Sequence, residues 1–314
     1  MHDEPLIFIT DGDASCDAGL LFLPHRIDAV RNHGTGATYE EGADYTVDYA
    51  SGRLMRPPTS RMPCVPSRAL ATEDTRYMHE RVVSITYAHD APVVLPPPPP
   101  ALRAALEPTH TRLLRREPLT ICLVGDSISE GYDASGYDGV PPHQPSYPSL
   151  VATSLEQRHG GPVRLHNLAV AGTSAVDGRW LTADIAATEP HVVIVAYGMN
   201  DTGWADAAQF ADNVSAIVSD VRASRPAADV LLVTSMRPTP LCDWVMAERF
   251  SQYRDVLTDL AIRARTGLAD VMTAWDALLA RKSPYDLTAN GLNHPNDFGH
   301  RIYAQTILAC LSPD

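Results

Sequence analysis

At 314 residues the chain has room for two domains or one large one, taking roughly 100 to 200 residues for each. An apolar fraction of 45% with 20% charged residues supplies a core and excludes wholesale disorder. A formal charge of -13 excludes a role built on the phosphate backbone of nucleic acid, which needs clustered Lys and Arg.

From the N-terminus, Met1-His2-Asp3-Glu4-Pro5 is acidic and lacks the basic and apolar regions of a signal peptide. No apolar run reaches the roughly 18 residues of a membrane span, so a cytoplasmic protein with no membrane partner is expected. The first third reads as β: an apolar run at Leu20–Leu23, alternation at Tyr45–Tyr49 with a turn at Ser51-Gly52, and a strand over Val82–Tyr87. Short strands at this spacing predict a small β-sandwich over residues 1–95. Leu95 and the proline run Pro96–Pro100 then mark a boundary, and residues 96–117 read as a stiff, extended, Pro-rich linker.

Beyond it the pattern changes to alternating strands and helices over residues 118–314. Strands are predicted at Thr120–Val124, Val163–Val170, His191–Tyr197, Val230–Thr234 and near Leu268–Met272. Helices are predicted at Tyr147–Arg158, Ala207–Ala223 and Trp244–Arg265, the last ended by Gly267, and after Asn296 as a cap. This is an α/β domain with a parallel sheet in three layers. Ligand sites in such sheets lie beyond the carboxyl ends of the strands.

The polar clusters fall at those ends. Gly125-Asp126-Ser127 follows the first strand, where a serine can present both a nucleophilic hydroxyl and an amide donor; Asp126 or Ser127 could equally cap a helix. Gly172 follows the second strand and could offer another amide. Gly198-Met199-Asn200-Asp201 follows the third, where the Asn200 carboxamide could donate to an oxyanion or open an Asx-turn, and Gly198 permits tight backbone passage. His294-Pro295 stands before the last helix. The remaining histidines show no metal-ligand spacing, and the five cysteines (Cys16, Cys64, Cys122, Cys242, Cys310) are too scattered for zinc and odd in number for a disulfide framework. Neither a metal nor a cofactor is expected. The GxSxG turn, the P-loop and GxGxxG are absent.

Taken together, Gly125-Asp126-Ser127-Ile128 with Gly131, then Gly172, Gly198-Met199-Asn200-Asp201 and His294-Pro295, resemble the SGNH/GDSL hydrolases. The resemblance covers residues 118 to 314. It implies a flavodoxin-like five-stranded parallel sheet and metal-free ester hydrolysis. It also implies Ser127 as nucleophile, His294 as base, and an oxyanion hole from the amides of Ser127 and Gly172 with the Asn200 side chain. Asp126, Gly198, Asp201, Asn290 and Asn293 would support this set.

The usual family acid, three residues before the histidine, is replaced here by Gly291. The expectation is therefore a Ser–His dyad whose imidazole is oriented by a backbone carbonyl or by Asn290 or Asn293, with no carboxylate in reach and with Asp297 serving the helix N-terminus. Certain carbohydrate acetyl esterases of the family, with an added N-terminal β-domain, work as dyads. That similarity points to a serine esterase removing acetyl or other short acyl groups from an acetylated sugar or another small ester. The alternatives are a lysophospholipase or thioesterase, and a degenerate carbohydrate-binding relic. Tyr132, Tyr137, Tyr147, Trp180 and Trp204 lie near the motifs and could stack on sugar rings or fill the core.

Overall fold

The computed structural model describes residues 1–11, 16–72, 74–91 and 96–313. The first part holds two three-stranded antiparallel sheets. Val83–Ala88 pairs with Glu4–Leu6 and Arg26–Asn32, while Arg53–Arg56 pairs with Cys16–Gly19 and Thr46–Asp48. Leu6, Val30, Ile85 and Tyr87 of one sheet and Ala18 and Leu54 of the other share one apolar core. The expected strand at Leu20–Leu23 does not form. That run is apolar because it joins two cores: Leu20 packs among the N-terminal sheets and Leu21 beneath the large sheet of the second part.

The predicted linker is only partly extended. Pro99 has φ -56° and ψ 134°, but Pro100 opens the helix Pro100–Ala104, and Glu107–Leu114 follows. A proline at the first helical position loses nothing, since its missing N–H would have no intrahelical partner. Leu102, Leu106 and Leu113 from this stretch are buried, so it packs on the second part. Leu95 lies outside the described residues.

The second part is a five-stranded parallel sheet. Its spatial order is Val163–Asn167, Leu119–Gly125, Val192–Ala196, Asp229–Val233, Gly267–Ala269. In chain order this is 2-1-3-4-5, the flavodoxin-like arrangement. Successive residues of the central strands bury opposite faces. Ile121, Leu123, Val192 and Ile194 meet the helices Tyr147–His159, Val271–Leu279 and Asp297–Leu311. Cys122, Val124, Val193 and Val195 meet Ala207–Ser224 and Ala247–Ala264. Cover on both faces explains why these strands read as unbroken apolar runs.

Local chemistry sets the helix ends. Asn296 caps the last helix, its side chain accepting from the Gly299 amide at 3.1 Å. The helix expected to end at Gly267 is closed by Arg265 in the left-handed region (φ 51°), and Gly267 already belongs to the last strand.

The two parts meet through a buried ionic cluster. Lys282, the one lysine of the chain, lies 2.8 Å from Glu4 Oε1 and 3.3 Å from Asp286 Oδ2, all three being buried. Glu4 also accepts from Tyr87 Oη (2.6 Å) and the Leu21 amide (2.8 Å), and Asp286 from the Ile7 amide (2.7 Å). Charges removed from water are tolerated only with this degree of pairing. Among the described residues no helix is long and apolar enough to cross a membrane.

Candidate active site

The first strand of the large sheet ends at Gly125, and Asp126 caps the short helix Ser127–Glu130 by accepting from the Ile128 amide at 3.0 Å. Ser127 therefore stands at the first helical position, at the carboxyl edge of the sheet. Its Oγ lies 2.8 Å from Nε2 of His294, a residue 167 positions away. Nδ1 of the same ring lies 3.0 Å from Oδ2 of Asp133.

This corrects the expectation of a dyad. A carboxylate does bond the His294 ring, and it comes from the turn just after the Ser127–Glu130 helix. Asp133 is 3% exposed and holds a left-handed backbone (φ 65°), which Asp tolerates better than most residues. Asn290 and Asn293 do not hold the ring. Asn290 Oδ1 instead accepts from the amides of Leu292, Asn293 and His294 at 2.9, 3.0 and 3.2 Å, and its Nδ2 donates to Asn293 Oδ1 at 3.1 Å, which shapes the loop carrying His294. Asp286 is engaged by Lys282. Asp297, at the start of the last helix, accepts from the Ser135 amide (2.8 Å) and Ser135 Oγ (2.7 Å) and is bonded to His33 Nε2 (2.8 Å).

The expected oxyanion segments converge on the same end of the sheet. Around Gly172, the Val170 amide donates to the Gly125 carbonyl (3.1 Å) and the Ala171 amide to Glu130 Oε2 (2.6 Å), tying this loop to the strand and helix that carry Ser127. Asn200 Nδ2 donates to the Thr173 carbonyl at 2.7 Å, and the carboxamide carries a second N–H for a ligand. Asp201 Oδ1 accepts from the Ala175 amide at 3.0 Å, fixing the turn that presents Asn200. Gly198 is needed for its φ of 136° and not for close passage, since a Cβ there would meet nothing nearer than 3.6 Å.

Burial dominates the electrostatics around Ser127. It pushes the Asp126 carboxyl up to about 7, against the opposing pull of the Ile128 amide and His294. Asp201 is pushed up to about 6 by burial, offset in part by the Ala175 amide. Burial lowers His300 to about 4; its Nε2 donates to the Tyr132 carbonyl at 3.1 Å while Nδ1 accepts from the Tyr147 amide.

Beside His294 opens a cavity of about 390 Å³, lined by Thr72, Tyr132, Asp133, Tyr137, Asp138, Asn290, Leu292 and His294. Tyr132 stands 5.5 Å from the His294 ring and 5.0 Å from the Tyr137 ring. Of the other aromatics, Tyr147 is core, its hydroxyl paired with Ser129 Oγ at 2.7 Å, whereas Trp180 and Trp204 are exposed. Sequence reasoning missed Asp133 and Thr72. For Asp133 the available signal was a carboxylate two residues after Gly131, in a turn at the same sheet edge as Ser127.

The profile of the GDSL-like lipase/acylhydrolase family matches residues 123–302, more than half of the chain. No curated protein matches the chain. Solved structures share the fold, and three illustrate it. An α/β-hydrolase enzyme from the metagenome of Lake Arreo, Spain, is 23% identical with a TM-score of 0.52, over 62% of this chain and 94% of its own. An acetylxylan esterase from Geobacillus stearothermophilus is 19% identical with a TM-score of 0.52, over 62% and 95%. A two-domain esterase active on acetylated mannans is 23% identical with a TM-score of 0.53, over 66% of this chain and 52% of its own. The profile match spans the strand ends that carry Ser127, Asp133, Gly172, Asn200 and His294, and the chain belongs to the GDSL-like lipase/acylhydrolase family of carboxylic ester hydrolases.

Proposed function

We propose that the protein is a metal-independent serine esterase that removes acetyl or other short acyl groups from carbohydrate esters, with Ser127, His294 and Asp133 as its catalytic triad. The observation that carries this reading is the continuous chain Asp133–His294–Ser127, with links of 3.0 and 2.8 Å. Asp133 fixes the ring with Nδ1–H toward the carboxylate, leaving the Nε2 lone pair to accept the Ser127 proton. Ser127 Oγ then attacks the ester carbonyl, and the amides of Ser127 and Gly172 with the Asn200 carboxamide receive the oxyanion. The imidazolium protonates the departing alcohol, and a water deprotonated by His294 frees the acyl group. In this reading residues 118–314 form the catalytic unit, 1–95 a β unit docked on it, and 96–117 their connection.

Two features favour a sugar as the alcohol. The cavity beside His294 offers hydroxyl, carboxamide and carboxylate groups together with the rings of Tyr132 and Tyr137, a lining suited to a hydroxylated ring more than to an alkyl chain. Fold neighbours include an acetylxylan esterase and an esterase active on acetylated mannans. The test is a chain-length series of p-nitrophenyl esters with acetate release from acetylated oligosaccharides, alongside labelling by a serine-directed phosphonate. Preference for the C2 ester, acetate release, and a label at Ser127 that Ser127→Ala abolishes are expected. A long-chain preference, or a label at another serine, rejects the reading.

A further inference from the structure

We propose that the N-terminal β part takes part in the reaction at a distance: His33 and His79 are positioning residues that hold the segment 131–144 so that Asp133 reaches His294. This rests on the reading of Asp133–His294–Ser127 as the catalytic chain.

Asp133 sits in an irregular segment closed by its own turns, the Ala134 amide donating to the Gly131 carbonyl and the Tyr137 and Asp138 amides to the Ala134 carbonyl, and these local bonds do not fix where the segment lies against His294. Its neighbours are anchored from outside. His79, 2% exposed, bonds through Nε2 to Asp138 Oδ2 at 3.2 Å. His33 Nε2 bonds to Asp297 Oδ2 at 2.8 Å, and Asp297 in turn takes both the amide and the hydroxyl of Ser135. Ser135 itself is fully buried and its Oγ accepts the Gln144 amide at 2.8 Å, closing the segment on itself. His33 is held from behind by Ser84 Oγ at 2.8 Å on the central strand of its sheet. His79 thus grips the segment directly at Asp138, and His33 acts on it at Ser135 through Asp297, both on the C-terminal side of Asp133. His300, from the second part, grips the Tyr132 carbonyl on the other side.

The energetic argument follows from Asp133 itself. A non-glycine residue at φ 65° is held in a sparsely populated region and persists only where its surroundings determine it. A carboxylate displaced by about 1 Å no longer fixes the His294 tautomer, and catalytic constellations lose rate steeply at that displacement. On p-nitrophenyl acetate, which carries no sugar to meet Tyr132, Tyr137 and Asp138 in the cavity, the loss from such a shift falls on kcat.

The experiment compares His33→Ala, His79→Ala and His33→Gln in the full chain, with folding checked by circular dichroism and thermal melting. Turnover of p-nitrophenyl acetate and the low-field proton resonance of the His294 ring are read in each. The Ala variants are expected to lose about tenfold or more in kcat with KM within about twofold, and to lose or broaden the low-field proton. His33→Gln keeps a donor toward Asp297 and is expected to stay within about threefold of the parent. Should His33→Ala fail to fold, Ser135→Ala removes the hydroxyl bond to Asp297 Oδ2, the oxygen that His33 also meets, and is read in its place. Folded variants with unchanged kcat and an unchanged low-field proton overturn the proposal, as does a change confined to KM or a Gln variant as impaired as the Ala variant. The proton resonance needs no substrate. If the parent turns over no ester, its persistence or loss across the variants still decides this proposal, while the missing turnover counts against the esterase reading alone.

Discussion

A Cβ added to Gly291 would lie 1.7 Å from the carbonyl oxygen of Leu70. The position that usually carries the family's acid, three residues before His294, is therefore closed by the backbone of the N-terminal part. Gly291 also holds φ at +66°, a region that side-chain-bearing residues rarely adopt. The neighbouring contacts reinforce this seat: the Thr72 amide donates to the Asn290 carbonyl at 3.1 Å, and Thr239 Oγ1 to the Gly291 carbonyl at 2.7 Å. The carboxylate that orients His294 instead comes from 161 residues upstream.

Restoring the usual acid should thus fail. Gly291→Asp is expected to destabilise the fold by at least about 3 kcal/mol, through backbone strain together with a clash against main chain that cannot rotate away. Denaturant unfolding measures this. The substitution should not rescue a variant lacking Asp133, and recovery of turnover in the Gly291→Asp, Asp133→Ala double variant would refute the assignment of Asp133.

Asp133→Asn keeps the shape and the tolerance for a left-handed backbone while removing the charge. By analogy with triad acids elsewhere, kcat should fall by about 10⁴ with KM little changed. Steady-state kinetics on a short-chain ester decide it. A loss below about tenfold would mean that the imidazole is oriented without this carboxylate.

Asn200→Ala should lower kcat by about 10² to 10³, since an oxyanion donor acts in the transition state. The bond from Asn200 Nδ2 to the Thr173 carbonyl is lost as well, so thermal melting must accompany the kinetics. An effect seen only in KM would assign Asn200 to substrate binding or to the turn.

The buried Asp126 carries a stability signature. Its folded value of about 7 lies above the unfolded value of about 3.9, so its contribution is full below pH ~4 and is lost as pH rises through 7. Asp126→Asn retains an acceptor for the Ile128 amide and cannot ionise. The melting temperature of this variant relative to the parent should therefore rise between pH 4 and 8. A difference that stays flat across this range would show that Asp126 does not ionise at a cost to the fold.

What the sequence by itself determined is what short-range pattern encodes. The apolar run around Ile121–Val124, the one at Val192–Ala196 and the 3.6-residue periodicity of Ala207–Ser224 report burial on the two faces of a sheet, and burial is written locally. Ser127, Gly172, Asn200 and His294 were legible because each follows a strand or precedes a helix, and the parallel topology sends those junctions to one edge. The pairing of His294 with Asp133 was decided only by the tertiary structure. So was the burial of Leu102, Leu106 and Leu113 in a stretch whose prolines predicted a stiff, extended spacer. No local period records which irregular segment will meet which. That choice depends on how the N-terminal sheets pack, where the Leu70 carbonyl fills the space beside Gly291 and His33 and His79 hold the turn that delivers Asp133.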